Sequence, residues 1–154
     1  MPSRPLHLAA ATLLLAVAAG ANAQGQPSKA EQAVKYRKAV YQAIAWNFGP
    51  MSAMAQGKLP HDAAEFQMRA ARVAALTPML AESYAPDTQG VAGSKAKPEL
   101  WANRADFDAK MRDLVDRSAT LASVAKSGDA ARSKAAFLDT AGTCKACHDD
   151  YKAD

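Results

Sequence analysis

The two cysteines of this 154-residue chain stand three apart in the run CKACH, with His148 directly after Cys147. The run falls on a helical pattern. Phe137, Ala141, Cys144, His148 and Tyr151 recur at alternating intervals of three and four, which gathers side chains on one face of a helix. Whatever fold the chain adopts must present that face, with two thiols and an imidazole, to something they hold.

Three further stripes share this spacing. They are Ala33, Arg37, Val40, Ile44, Phe48, Met51; then Phe66, Ala70, Val73, Thr77, Leu80; then Phe107, Met111, Leu114, Ser118, Leu121. Start signals precede all four helices. Ser28 with Glu31 and Asp62 with Glu65 read as capping boxes, Asn103 with Asp106 as a weaker one, and Asp129 as an N-cap behind Gly128. Gly57 and Gly128 read as helix stops. Pro50 should kink the first helix near Trp46, and Thr77-Pro78 should end or kink the second. The stretch APDTQGVAGSKAKP, residues 85–98, has no apolar period and reads as the one long loop. Amphipathic helices of this kind pack at shallow angles. The expected fold is all-α: an antiparallel four-helix bundle over residues 24–154.

Residues 1–23 are set apart from it. Arg4, the apolar LHLAAATLLLAVAAG and the small residues Ala21 to Ala23 read as a secretory signal peptide cut after Ala23. The apolar run is short of the roughly 20 residues a membrane span needs. A chain exported to a bacterial periplasm, free of the membrane after cleavage, is expected. The net charge of +4 is spread without a basic block, so a nucleic-acid partner is not expected.

Cys-x-x-Cys-His is the attachment signature of c-type haem. Each thiol adds across one haem vinyl group, and His148 is then carried to the iron as its ligand. The pattern therefore points to haem c, one per chain, covalently bound through Cys144 and Cys147, with His148 as the metal ligand. A thioredoxin-like pair calls for a strand-to-helix context. A zinc site calls for four ligands, and beyond the leader only His61 accompanies His148. A disulfide across so small a loop would add little. A di-iron bundle calls for Glu-x-x-His, which the sequence lacks.

If the last helix ends beside the start of the first, the haem faces KYRKAVYQAI, residues 35–44. Arg37 lies on an apolar stripe, where a lone cation is costly, and a haem propionate is its expected partner. Tyr41 is one turn further on the same side. Met51 and Met54 lie roughly 15–20 Å along the helix from Tyr41 at 1.5 Å per residue, out of reach of the iron. Met68, Met79 and Met111 read as core.

On the segments AVKYRKAV, WNFGPMSAMAQGK, KPELW and CKACHDDY, in that order, the chain resembles the cytochrome c′ family of high-spin class II cytochromes c. The resemblance implies a pentacoordinate haem on an antiparallel bundle, commonly a homodimer. It places Cys144 and Cys147 at the thioether positions and His148 at the proximal ligand. Arg37 falls beside the propionates and Tyr41 at the distal position. Lys152 takes a place near the proximal imidazole where many members carry arginine; lysine keeps the charge and loses the planar fork.

Two functions of different class follow. One is the binding of diatomic gases such as nitric oxide and carbon monoxide at the open side of the iron. The other is electron transfer with a periplasmic redox partner, in the limit by a low-spin class II cytochrome acting purely as a carrier. An enzyme is not expected, because the first helix offers no histidine as an acid–base group. Trp46, Phe48 and Met51 are expected to contribute to a pairing face.

Overall fold

The computed structural model describes residues 26–154, and the expected signal peptide lies outside that range. Five α-helices are present among the described residues: α1 (Lys29–Ala55), α2 (Ala63–Leu76), the single turn α3 (Glu99–Ala102), α4 (Arg104–Ala125) and α5 (Ala130–Tyr151). The four long ones form the expected antiparallel bundle, and no helix among the described residues is long and apolar enough to cross a membrane.

Local chemistry sets most of the ends. At α1 the box is reciprocal: the Ser28 hydroxyl accepts from Glu31 N (3.2 Å) while the Glu31 carboxylate accepts from Ser28 N (2.7 Å). Asp62 and Asp129 cap α2 and α5 by accepting from Glu65 N and Arg132 N, both at 2.9 Å. Asn103 makes no side-chain cap bond. The turn α3 precedes it, and its backbone N–H is already committed to the Glu99 carbonyl (2.8 Å). Gly57 stops α1 in the left-handed region (φ 72°), so that Lys58 N reaches back to the Ala53 carbonyl (2.8 Å).

Pro50 and Pro78 each mark a local change in the helices. Pro50 lies inside α1 and the helix runs past it to Ala55. A proline leaves the carbonyl four residues earlier without its helical partner. Here that is the Trp46 carbonyl, which accepts from Arg69 Nη1 of α2 (3.3 Å). After Leu76 the second helix tightens into a 3-10 helix, Thr77–Ser83, with Pro78 in its first turn. The change of pitch leaves the stripe intact: Phe66, Ala70, Val73, Thr77 and Leu80 are all buried. The two polar members of the inner stripes, Thr77 and Ser118, satisfy each other at 2.7 Å across the core.

Some expectations need correcting. Met51 is fully buried and cannot belong to a pairing face, whereas Trp46 is 76% exposed. Met68 and Met79 lie on the surface; Met111 alone of that trio is core. On α1, Val34 rather than Ala33 is the buried residue of the first turn. The stretch 85–98 is a loop for most of its length, with a short 3-10 turn at Pro86–Thr88. Its second half is tied to the end of α5. Ala96 and Lys152 form an antiparallel bridge, and Lys97 N donates to the Tyr151 carbonyl and Ala153 N to the Lys95 carbonyl, at 2.9 and 2.8 Å. This strap crosses the bundle at the end where α1 begins and α5 finishes.

Candidate functional site

Under the strap lies a cavity of about 520 Å³, within the roughly 300–1,000 Å³ of small-molecule and cofactor sites. Helix α5 supplies Cys144, Cys147 and His148, and α1 supplies Arg37 and Tyr41. With Lys152 at the α5 C-cap, all six side chains singled out from the sequence lie on its wall. Phe48, Leu100, Phe107 and Leu114 make much of the remainder apolar.

Both cysteines are free and partly buried. Burial pushes both thiols up, Cys147 to about 11, with its neighbour Cys144 adding to the effect. Thiols held protonated at neutral pH are poor spontaneous nucleophiles and poor redox centres, unlike those of a dithiol oxidoreductase. The His148 pKa is lowered, first by partial burial and then by the Lys152 cation, against a smaller opposing effect of Asp149. The imidazole is thereby kept in the neutral form that ligates metals.

Arg37 is 4% exposed, and a buried guanidinium must find partners. Nη2 donates to the Ser94 hydroxyl of the strap (3.2 Å). The guanidinium carbon stands 4.1 Å over the Tyr84 ring, a cation–π contact. Nη1 has no acceptor among the described residues. No aspartate or glutamate lines the cavity, while Lys38, Lys95 and Lys152 do. The wall is therefore apolar with a cationic edge and one donor left over. It fits a large, mainly apolar group with an acidic edge, attached through two thiols, which is the chemistry of haem c.

Tyr41 shares its hydroxyl with that of Tyr84 at 3.0 Å. Burial, and then the proximity of Tyr84, hold its phenol far above the ordinary tyrosine range. Burial likewise raises Tyr84. Both are neutral phenols at any physiological pH.

Tyr84, Ser94 and Lys38 were not singled out from the sequence. Tyr84 was legible in principle: four residues after Leu80, it continues the α2 stripe beyond the proline. Lys38 and Ser94 carry no such signal, because contact with the cavity depends on where the strap crosses. His61 is not on the cavity wall; it stacks on Phe66 with ring centroids 5.4 Å apart.

Comparison with known proteins agrees with this geometry. The cytochrome c′ of Alcaligenes xylosoxydans xylosoxydans is 37% identical over 127 residues, spanning 82% of this chain and 98% of the relative. The solved cytochrome c prime of Shewanella frigidimarina superposes with a TM-score of 0.79 at 42% identity, covering 84% of this chain and all of that one. A mutant of the Alcaligenes xylosoxidans protein, solved as its nitric oxide complex, superposes with a TM-score of 0.76 at 33% identity over 84% and 99% of the two chains. The sequence profile described as cytochrome c′ matches residues 32–152. That span runs from the first turn of α1 to the residue after α5 and leaves no element of the bundle outside it: the chain belongs to the cytochrome c′ family.

Proposed function

We propose that this protein is a periplasmic haem c protein, one haem per chain, that binds diatomic gases at a single open side of its iron. Family membership implies covalently bound haem c. The observation that carries the rest is the composition of the cavity wall: it offers one histidine, His148, and no methionine. Met51 and Met54, the methionines of α1, are buried away from it. A purely electron-carrying, low-spin cytochrome needs a second strong axial side chain, and that wall supplies none of the usual kinds. The nitric oxide complex of a relative supports the gas class.

When bound, haem would supply an iron able to take an imidazole and a gas, or to pass an electron. The chain's own residues do the remainder. Cys144 and Cys147 would each add S–H across a haem vinyl group, sulfur to one carbon and hydrogen to the other, and so fix the register of α5 against the group. His148 presents a neutral imidazole one residue later. Arg37 would offer its free Nη1 to an acidic edge of the group, while Ser94 and the Tyr84 ring hold the guanidinium in place. Lys152, one turn beyond His148, adds positive charge beside the imidazole, and Lys38 and Lys95 add it at the cavity edge. Tyr41 fills the distal side with a neutral ring, which is a poor ligand and a barrier to entry. A close-packed wall resists its displacement, so gas binding is slow, and bulkier or anionic ligands are largely shut out.

The protein is read as a binding protein with a capacity for electron exchange, not as an enzyme: the wall holds no carboxylate and no second histidine for acid–base work. Export is supported by the leader pattern of residues 1–23 and by covalent haem chemistry. The exposed α1 face around Trp46 is proposed to pair two copies. The optical spectrum of the reduced protein, with and without carbon monoxide, tests the central reading. A high-spin ferrous spectrum that shifts on addition of carbon monoxide is expected. A low-spin, six-coordinate spectrum indifferent to the gas would overturn it.

A further inference from the structure

Tyr84 does not descend from the cysteine motif or from α1. It follows the 3-10 helix that ends at Ser83, and it is 6% exposed. Four contacts fix it. Its ring packs edge-on against Phe107 with centroids 4.8 Å apart. The Arg37 guanidinium lies over the ring at 4.1 Å. Its carbonyl accepts from Arg104 Nη1 at 2.6 Å. Its hydroxyl meets that of Tyr41 at 3.0 Å. Tyr41 is less constrained. Among the described residues the Tyr84 hydroxyl is its one hydrogen-bond partner. A ring fixed by four contacts is thus bonded to a ring with a single polar tie.

We propose that Tyr84 is the latch of the Tyr41 gate: a positioning residue that sets how readily Tyr41 yields to an incoming gas. The proposal rests on the reading of Tyr41 as the distal barrier. Swinging the Tyr41 ring aside breaks the hydroxyl pair and strands two buried phenols. The cost of one such bond, on the order of 1 kcal/mol, is roughly a factor of five in rate. Because Arg37 both covers Tyr84 and offers its free Nη1 to the cofactor edge, the latch is seated by the same residue that anchors the cofactor. The two halves of the pair are not equivalent. Tyr84→Phe keeps the ring packing and leaves the Tyr41 hydroxyl buried without a partner, which pushes that ring outward. Tyr41→Phe removes the bond without that push.

The test is carbon monoxide association to the ferrous holoprotein by stopped flow, in wild type, Tyr84→Phe, Tyr41→Phe, the double variant and Tyr41→Ala. Tyr84→Phe should bind roughly two- to tenfold faster than wild type, and Tyr41→Phe faster by no more than that. The double variant should be no faster than Tyr84→Phe, since the same bond cannot be lost twice. Ultraviolet resonance Raman of the tyrosine doublet should report loss of the hydroxyl pair in both single variants while far-ultraviolet dichroism stays unchanged. Tyr84→Phe binding at the wild-type rate, with Tyr41→Ala faster, would overturn the latch and leave the gate standing. Additive effects of the two phenylalanines would also overturn it. A Tyr41→Ala protein no faster than wild type would remove the gate itself, and the latch with it.

Discussion

Without its cofactor this bundle should not keep a native fold, and the cavity gives the size of the effect. Replacing Cys144 and Cys147 by alanine removes both attachment points, so the haem-free chain must close or tolerate a space of about 520 Å³. Residual cavities destabilise by about 24 cal/mol per Å³, which makes the penalty about 12 kcal/mol. That is an upper figure, because water can enter at the mouth. Whole-domain stabilities are only about 5–15 kcal/mol, so even half of the penalty consumes most of the margin. The end of the bundle that lacks this cavity has its own core, with Phe66, Ala70 and Leu121 buried. Partial helix content should therefore survive there while fixed packing is lost. Far-ultraviolet dichroism, dye binding and a thermal melt of the haem-free Cys144→Ala/Cys147→Ala chain read this out. Reduced helicity, dye binding and a broad, non-cooperative transition are expected. A cooperative melt within a few degrees of the holoprotein would refute the reasoning and make the cavity an incidental void.

Three further outcomes follow from single contacts. On the proposed haem site, Arg37→Ala removes a buried cation from the cavity wall and favours the more positive, oxidised iron; the reduction potential should fall, at about 59 mV for each tenfold change in the redox equilibrium, as voltammetry would show. Tyr151 donates its hydroxyl to the Asp106 carboxylate, and this bond, more than burial, pushes its phenol up to about 12. A raised folded-state value stabilises fully below the unfolded pKa near 10 and is lost as pH climbs through about 12, so urea titrations of wild type and Tyr151→Phe should differ at neutral pH and converge above that range. Ser118→Ala should cost about 1–3 kcal/mol by stranding the Thr77 hydroxyl, Thr77→Val should cost less because Ser118 still donates to the Val115 carbonyl (2.9 Å), and the double variant should recover much of the Ser118→Ala loss in a denaturation cycle.

Which parts of this architecture the residues announce has a physical explanation. Ser28, Asp62 and Asp129 act within three residues of themselves, and local chemistry of that kind can be read without knowing the fold. The stripes act over one helix face, and they located the core even where α2 gave way to a 3-10 helix at Thr77. The CKACH run carries its chemistry in its spacing alone. Arg37 was legible as an anomaly, a cation on an apolar stripe, and its unpaired Nη1 is the structural form of that anomaly. The strap was not legible. Its hold on α5 runs through the backbone of residues 95–97 and 151–153, and any side chains would permit it. Asn103 misled because a good cap residue does not cap when the turn before it already uses the local geometry. Met68 and Met79 misled because residue type alone does not place a methionine; both lie off the stripe Phe66, Ala70, Val73, Thr77, Leu80, whereas the buried Met111 lies on the α4 stripe.

The claim on which the rest stands is that Cys144, Cys147 and His148 hold haem covalently in this cavity. Extraction of the purified protein with acid acetone tests it directly, since the solvent strips haem held only by ligation and packing. The account predicts that the colour stays with the precipitated protein, at one haem for each chain. Haem passing into the solvent, with both cysteines recovered as free thiols, would contradict it.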